Sequence, residues 1–179
     1  FPVDPQVVVL AYALNDIEAA ARKHGQVFPF AEQLDKGWTA PLVDHSYAAN
    51  HLFYALRLSS GATDYMDFVR GCFADADIWH AHAATLREFV GYAEARQARV
   101  VAVVLPFLNA LEASAPLTAQ TAEVLRACGA ETIELTGALE EWPRTRRVVN
   151  ARDAHPSAAV HGLIAERVLE VLGYGADAP

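Results

Sequence analysis

Basic charge is what this sequence has least of. Its 14 Lys and Arg face 22 Asp and Glu, a net charge of −8 with the seven His counted neutral. That balance lacks the basic footprint on which non-specific nucleic-acid binding depends. Long apolar runs are missing too, since no stretch reaches the roughly 18 residues a membrane helix needs. The two cysteines, Cys72 and Cys128, stand in neither metal-ligand nor redox spacing and read as buried thiols. No Gly-rich phosphate loop occurs, which disfavours a nucleotide enzyme of the P-loop or dinucleotide type. Internal repeats and low-complexity tracts are absent as well. The sequence opens at Phe1 without a charged n-region and a small-residue cleavage pattern, so any targeting signal is expected upstream.

What is present describes one α/β domain. Apolar residues make up 53% and charged residues 20% of 179, enough for a real core. "PQVVVLAYAL" (Pro5 to Leu14) and "ARVVAVVLPFL" (Ala98 to Leu108) are short, apolar and rich in valine, as strands covered on both faces are. "ETIEL" (Glu131 to Leu135) reads as a third strand. Helical spacing marks Ala76 to Ala98, capped by Asp77 or Asp75, and Leu117 to Gly129, capped by Thr118. A last helix follows Ser157, turns Leu163, Ile164, Val168 and Val171 inward and ends at Gly173. Strand-helix alternation implies a doubly wound parallel sheet.

The excursion from about residue 17 to 75 is long for a crossover and contains a helix over Ser46 to Leu58. With Tyr47, Phe53 and Tyr54 it suits either a substrate wall or a plain helical decoration. Three strands also make a narrow sheet. Pro5 to Leu14 is apolar enough to be central, and an apolar edge strand invites aggregation. A further strand is therefore expected upstream of Phe1 or from a partner chain, pairing with residues 5–14, and the segment alone is expected to be inactive and poorly soluble.

Three residues carry candidate chemistry. Asp153 and His155 are separated by one residue just before the last helix. In extended backbone, residues i and i+2 point the same way, about 6.6 Å apart at Cα. The carboxylate can then accept the imidazole Nδ1–H, fix its tautomer and stabilise the imidazolium. Asn15 follows the first strand, at the carboxyl end where ligands bind in open α/β sheets. Its amide can donate to an oxyanion, an interaction worth about 3 kcal/mol in the transition state. Taken singly, Asp153 and His155 also suit a plain loop, and Asn15 a strand-ending turn. "DADIWHAH" (Asp75 to His82) holds two acids and two histidines in eight residues, but an acidic helix start accounts for them without a metal. "WPRTRR" (Trp142 to Arg147) is a small basic cluster that suits a solvated loop or an anionic ligand.

Taken together, "PQVVVLAYALNDI" resembles the third sequence block of the SGNH (GDSL-type) hydrolases, an apolar strand ending in Gly-x-Asn-Asp. "DAHPSAAVHGLIAERVLEVL" resembles their fifth, Asp-x-(x)-His-Pro followed by a helix. "VVAVVLPFL" is similar to the strand-Pro segment between them. The similarity spans Gln6 to Leu172. It implies a flavodoxin-like, doubly wound sheet of order 2-1-3-4-5, here lacking its first two strands. It also implies hydrolysis of a small-molecule ester or acylated sugar through a serine, with no cofactor. By that resemblance Asn15 matches the oxyanion-hole residue, His155 the general base and Asp153 its orienting acid; His161 matches a second histidine, read as structural. Ala13 departs from the pattern's glycine. The Gly-Asp-Ser block that would carry the nucleophile is absent, and no serine among Ser46, Ser59, Ser60, Ser114 and Ser157 has its context. The same groups would serve an O-acyltransferase acting on a carbohydrate, and without a nucleophile the domain would only bind.

Overall fold

The structure is a computed structural model that describes residues 4–28, 37–58, 65–150 and 153–174, with the backbone alone at 54–58. Three parallel strands form its sheet: β1 (Val7–Ala13), β2 (Arg99–Leu105) and β3 (Glu131–Glu134), in that order. The two apolar runs are β1 and β2, paired in register from Val7 opposite Arg99 to Ala13 opposite Leu105. Between them lie α1 (Glu18–Lys23), α2 (Ala40–His45), α3 (Tyr47–Leu58), α4 (Tyr65–Ala74) and α5 (Ala76–Glu94). Then come α6 (Leu111–Ala127), α7 (Thr136–Leu139), α8 (Arg144–Arg147), the antiparallel strands β4 (Val148–Asn150) and β5 (Asp153–Pro156), and α9 (Ala158–Val171).

Alternation in β2 divides the core in two. Val100, Ala102 and Val104 face a cluster completed by Ile78, Leu86 and Val90 of α5 and by Ala122 and Leu125 of α6. Val103 faces the other way, toward Leu108, Leu135, Leu139 and Val160, with Leu163, Ile164 and Val168 of α9 packed against them. Helices therefore cover both faces of β2. β1 has a similar sequence but not the same cover. Tyr12 is buried on the α5 side, whereas Val9, on the opposite face, is 48% exposed.

Among the described residues no strand pairs with the other edge of β1, and which residues face that edge can be read from the hydrogen bonds. Gln6 carbonyl accepts from Arg99 N–H at 2.9 Å, so even-numbered residues turn their backbone toward β2. Val7, Val9 and Ala11 turn theirs outward. At the end of this row the Ala13 N–H donates to Asp16 Oδ2 at 3.1 Å. Burial pushes the Asp16 carboxyl up and the Ala13 bond pulls it back.

Several expectations need correction. Asp75, not Asp77, caps α5, accepting from Asp77 N–H and Ile78 N–H. α6 starts at Leu111 rather than beside Thr118, in spite of Pro116. Leu111 is buried, and Ser114 Oγ donates to Leu111 carbonyl while accepting from Phe107 N–H, each at 3.0 Å, which holds the extra turns. Thr118 is interior and donates to Ala115 carbonyl. α5 stops at Glu94, where the chain turns through Gln97 at φ +60°. Gly129 and Gly173, at φ +91° and +81°, end α6 and α9 in the left-handed conformation glycine tolerates. Cys72 is buried but Cys128 only partly so.

His82 is buried on α5 beside β1, its Nε2 hydrogen-bonded to the Tyr12 hydroxyl at 2.9 Å. Loss of water lowers its pKa to about 4. Between that value and the unfolded value near 6.5 the unfolded chain binds the extra proton, so stability falls as pH drops through this window. The loss is roughly 3 kcal/mol at most, read as a falling denaturant midpoint from pH 6.5 to 4 that His82→Gln flattens. Cap identity gives a second test: Asp75→Ala costs about 1 kcal/mol in a chemical melt, and Asp77→Ala only a few tenths.

Candidate active site

The loops leaving β1 and β2 meet at their carboxyl ends around a cavity of about 560 Å³. The β1 side contributes Leu14 and Asn15, and the β2 side contributes the segment from Leu105 to Asn109. Ser114 ties that second loop to α6 through Phe107 N–H. Tyr65 of α4 stands edge-on to Phe107, ring centroids 5.8 Å apart, and both line the cavity. The Tyr65 hydroxyl donates to Glu18 Oε1, which links α4 to α1. The wall is thus mainly apolar. The long excursion contributes Tyr65 to it, and not Tyr47, which is 90% exposed; the Tyr54 side chain lies outside the described residues.

The remaining wall is β5, with Asp153, Ala154, His155 and Pro156. It pairs antiparallel with β4 through Val148 opposite Pro156 and Asn150 opposite Asp153; residues 151–152 lie outside the described residues. Local bonds shape it. Asn150 Oδ1 accepts from Asp153 N–H at 3.0 Å. Ser157 caps α9 by accepting from Val160 N–H, and its backbone N–H donates to Arg147 carbonyl.

One carboxylate oxygen does most of the positioning. Asp153 Oδ1 accepts the His155 backbone N–H at 3.0 Å and lies 2.6 Å from His155 Nδ1. The backbone bond first, and the ring bond second, hold the Asp153 carboxyl below the usual carboxylate value. The acid is therefore charged across the neutral range, and its hold on the ring is lost only as pH falls through that lowered value. The imidazole is 87% exposed, so Nε2 is open to whatever enters the cavity.

Asn15, Asp153 and His155 thus line one cavity, although Asn15 and Asp153 come from near opposite ends of the sequence. Comparison with protein-family models, curated proteins and solved structures finds no match. His161 is exposed on α9, away from this wall. The histidine-acid run at 75–82 is dispersed: Asp75 caps, His82 is buried against Tyr12, and His80 is exposed. Among the described residues no group of three or more His, Cys, Asp or Glu could hold a metal.

Sequence reasoning missed Tyr65, Phe107, Asn109 and Asn150. Asn109 was detectable by the rule that singled out Asn15, since both follow the carboxyl end of an apolar strand. Asn150, three residues before Asp153, carries the signature of a side chain closing a turn. Nothing local distinguishes Tyr65 from the other aromatics of the excursion.

The Asp153 contact requires Nδ1 to carry the proton in neutral His155. Long-range nitrogen-proton NMR of this chain should show the Nδ1–H tautomer dominant at pH 8. Asp153→Asn should shift the population toward Nε2–H, and equal tautomers in both proteins would contradict the orientation described.

Proposed function

We propose that these residues supply the base, its orienting acid and an oxyanion donor of a serine-dependent ester hydrolase of the SGNH (GDSL-type) kind. The observation that carries the reading is the single cavity lined by the Asp153–His155 pair and by Asn15. In this mechanism a serine oxygen attacks the ester carbonyl while His155 Nε2 takes its proton. Asn15 donates its amide N–H to the oxyanion. His155 then passes the proton to the departing alcohol, water attacks the acyl-serine with His155 again as base, and the acid leaves. Asp153 stays ionised throughout and stabilises the imidazolium.

The serine comes from outside the described residues, in an upstream segment of the parent protein or in a partner chain. The described serines are otherwise engaged. Ser46 accepts from Ala49 N–H, Ser114 is buried in the loop brace, and Ser157 caps α9. Ser59 and Ser60 lie outside the described residues. The free edge of β1 is the place for the missing strand, with Val7, Val9 and Ala11 offering their backbone groups. The bare face at Val9 and Ala11 suits the helix that would follow it. Because Asp16 occupies the Ala13 N–H, a pairing strand ends at that level and delivers its next residues beside Asn15. β1, β2 and β3 would then be the last three strands of a 2-1-3-4-5 flavodoxin-like sheet.

In the protein with its upstream segment, His155→Ala should lower turnover of p-nitrophenyl acetate at least about a thousandfold. Asn15→Ala should cut kcat roughly 100- to 1,000-fold with little change in KM. Undiminished turnover by His155→Ala would remove the hydrolase reading.

A further inference from the structure

The long excursion between β1 and α5 leaves one mark on the candidate site. Among its described residues only Tyr65, the first residue of α4, lines the cavity. The rest of the lining comes from the ends of β1 and β2, the loops beyond them, and β5.

The surroundings of Tyr65 fix its ring. Phe107 meets it from the β2 loop, ring centroids 5.8 Å apart and planes inclined at 61°. Phe28 meets it edge-on at 5.0 Å, and Phe68 of α4 lies at 6.4 Å in a stacked arrangement. Phe28 and Phe68 also touch each other, at 5.3 Å, and neither lines the cavity. The Tyr65 ring therefore separates the cavity from a packed aromatic group. Its hydroxyl donates to Glu18 Oε1, and Glu18 is not part of the lining either. Burial first, and Glu18 second, push the phenol up, so it stays neutral. With the hydroxyl engaged there, ring carbon is what a molecule in the cavity meets.

The shape of this corner narrows the ligand class. Parallel rings would make a slot for a flat aromatic group, and rings inclined at 61° do not. Leu14, Leu105 and Leu108 add aliphatic lining. Together these suit a flexible alkyl chain that runs until it meets Tyr65. Each methylene that finds apolar surface gains about fourfold in affinity. A carbon with no room past a packed ring gains nothing.

We propose that Tyr65 sets the acyl-chain length: the alkyl chain of the acyl group lies in this cavity, its carbonyl at Asn15 and His155 and its far end against the Tyr65 ring. The inference rests on the ester reading. It adds the specificity-determining residue and the class selected, straight-chain acyl esters up to a limiting length.

Substitution should move that limit in opposite directions. Tyr65→Leu opens the way to Phe28 and Phe68, apolar ground for roughly two to four further carbons. Tyr65→Trp should shorten the limit. Tyr65→Phe, still packed on Phe107 and Phe28, should hold it.

Two series test this in the protein with its upstream segment. The first is the affinity of 1-alkanols from butanol to decanol by calorimetry, which needs no nucleophile. The second is kcat/KM for p-nitrophenyl esters from acetate to decanoate. Both limits should move out in Tyr65→Leu and in with Tyr65→Trp. The octanoate-to-acetate ratio of kcat/KM should rise at least about tenfold in the first and fall by as much in the second. A loss of fold lowers every substrate alike and cannot move this ratio both ways. Unmoved limits in both variants, or a Tyr65→Phe shift as large as that of Tyr65→Leu, would overturn the ring as the end wall while the ester reading stood. Alkanol limits that move without the ester ratio would overturn the acyl assignment. Limits that move as expected, with full turnover by His155→Ala, would uphold the wall and sink the ester reading.

Discussion

Parallel pairing of β1 with β2 sets where everything else can be. Seven residues pair in register, so Ala13 lies level with Leu105 and the loops beyond them emerge side by side. That is why Asn15 and the Leu105–Asn109 segment share a cavity. Parallel pairing also forces a crossover. Here the crossover runs through the long excursion and α5, which covers one face of the sheet and leaves the other for α9. The hairpin that leads into α9 then arrives at the carboxyl ends of the strands, carrying Asp153 and His155.

Two histidines illustrate how environment assigns roles to one residue type. His82 is buried against Tyr12, and loss of water keeps it neutral far below its ordinary pKa. Its ring fills space and satisfies a buried hydroxyl. His155 is almost wholly exposed, and its orientation comes from a single carboxylate oxygen that also binds its backbone. Short-range bonds from Asn150, Asp153 and Ser157 brace the hairpin without burying the ring. An oriented ring that is still open to solvent is what a proton-transferring group needs; a ring sealed in the core is not.

The sheet's asymmetry links fold to function. β2 is covered on both faces and paired on both edges. β1, also an apolar run, has among the described residues no strand on its other edge and an exposed Val9 on its second face. Under the proposed reading, the segment that completes the sheet is the same segment that brings the nucleophile. Core completion and site assembly then depend on one docking event.

Much of this was legible locally. Apolar runs of β-branched residues marked β1 and β2, because a strand covered on both sides has no polar face to alternate. Ser157 and Gly173 marked the ends of α9, because capping and the left-handed turn depend on single residues. The spacing of Asp153 and His155 indicated that the two side chains could touch, since two residues of extended backbone fix that relation. The hairpin of β4 and β5 was not legible, because arms of three and four residues carry no period. Nor was the start of α6, where the burial of Leu111 and the bonds of Ser114 outweigh the propensity of Pro116. Above all, the sequence by itself determined which groups could act, through local backbone geometry and side-chain chemistry. Only the tertiary structure decided that Asn15, Asp153 and His155 open onto one cavity, because strand register and helix packing act between segments distant in the chain.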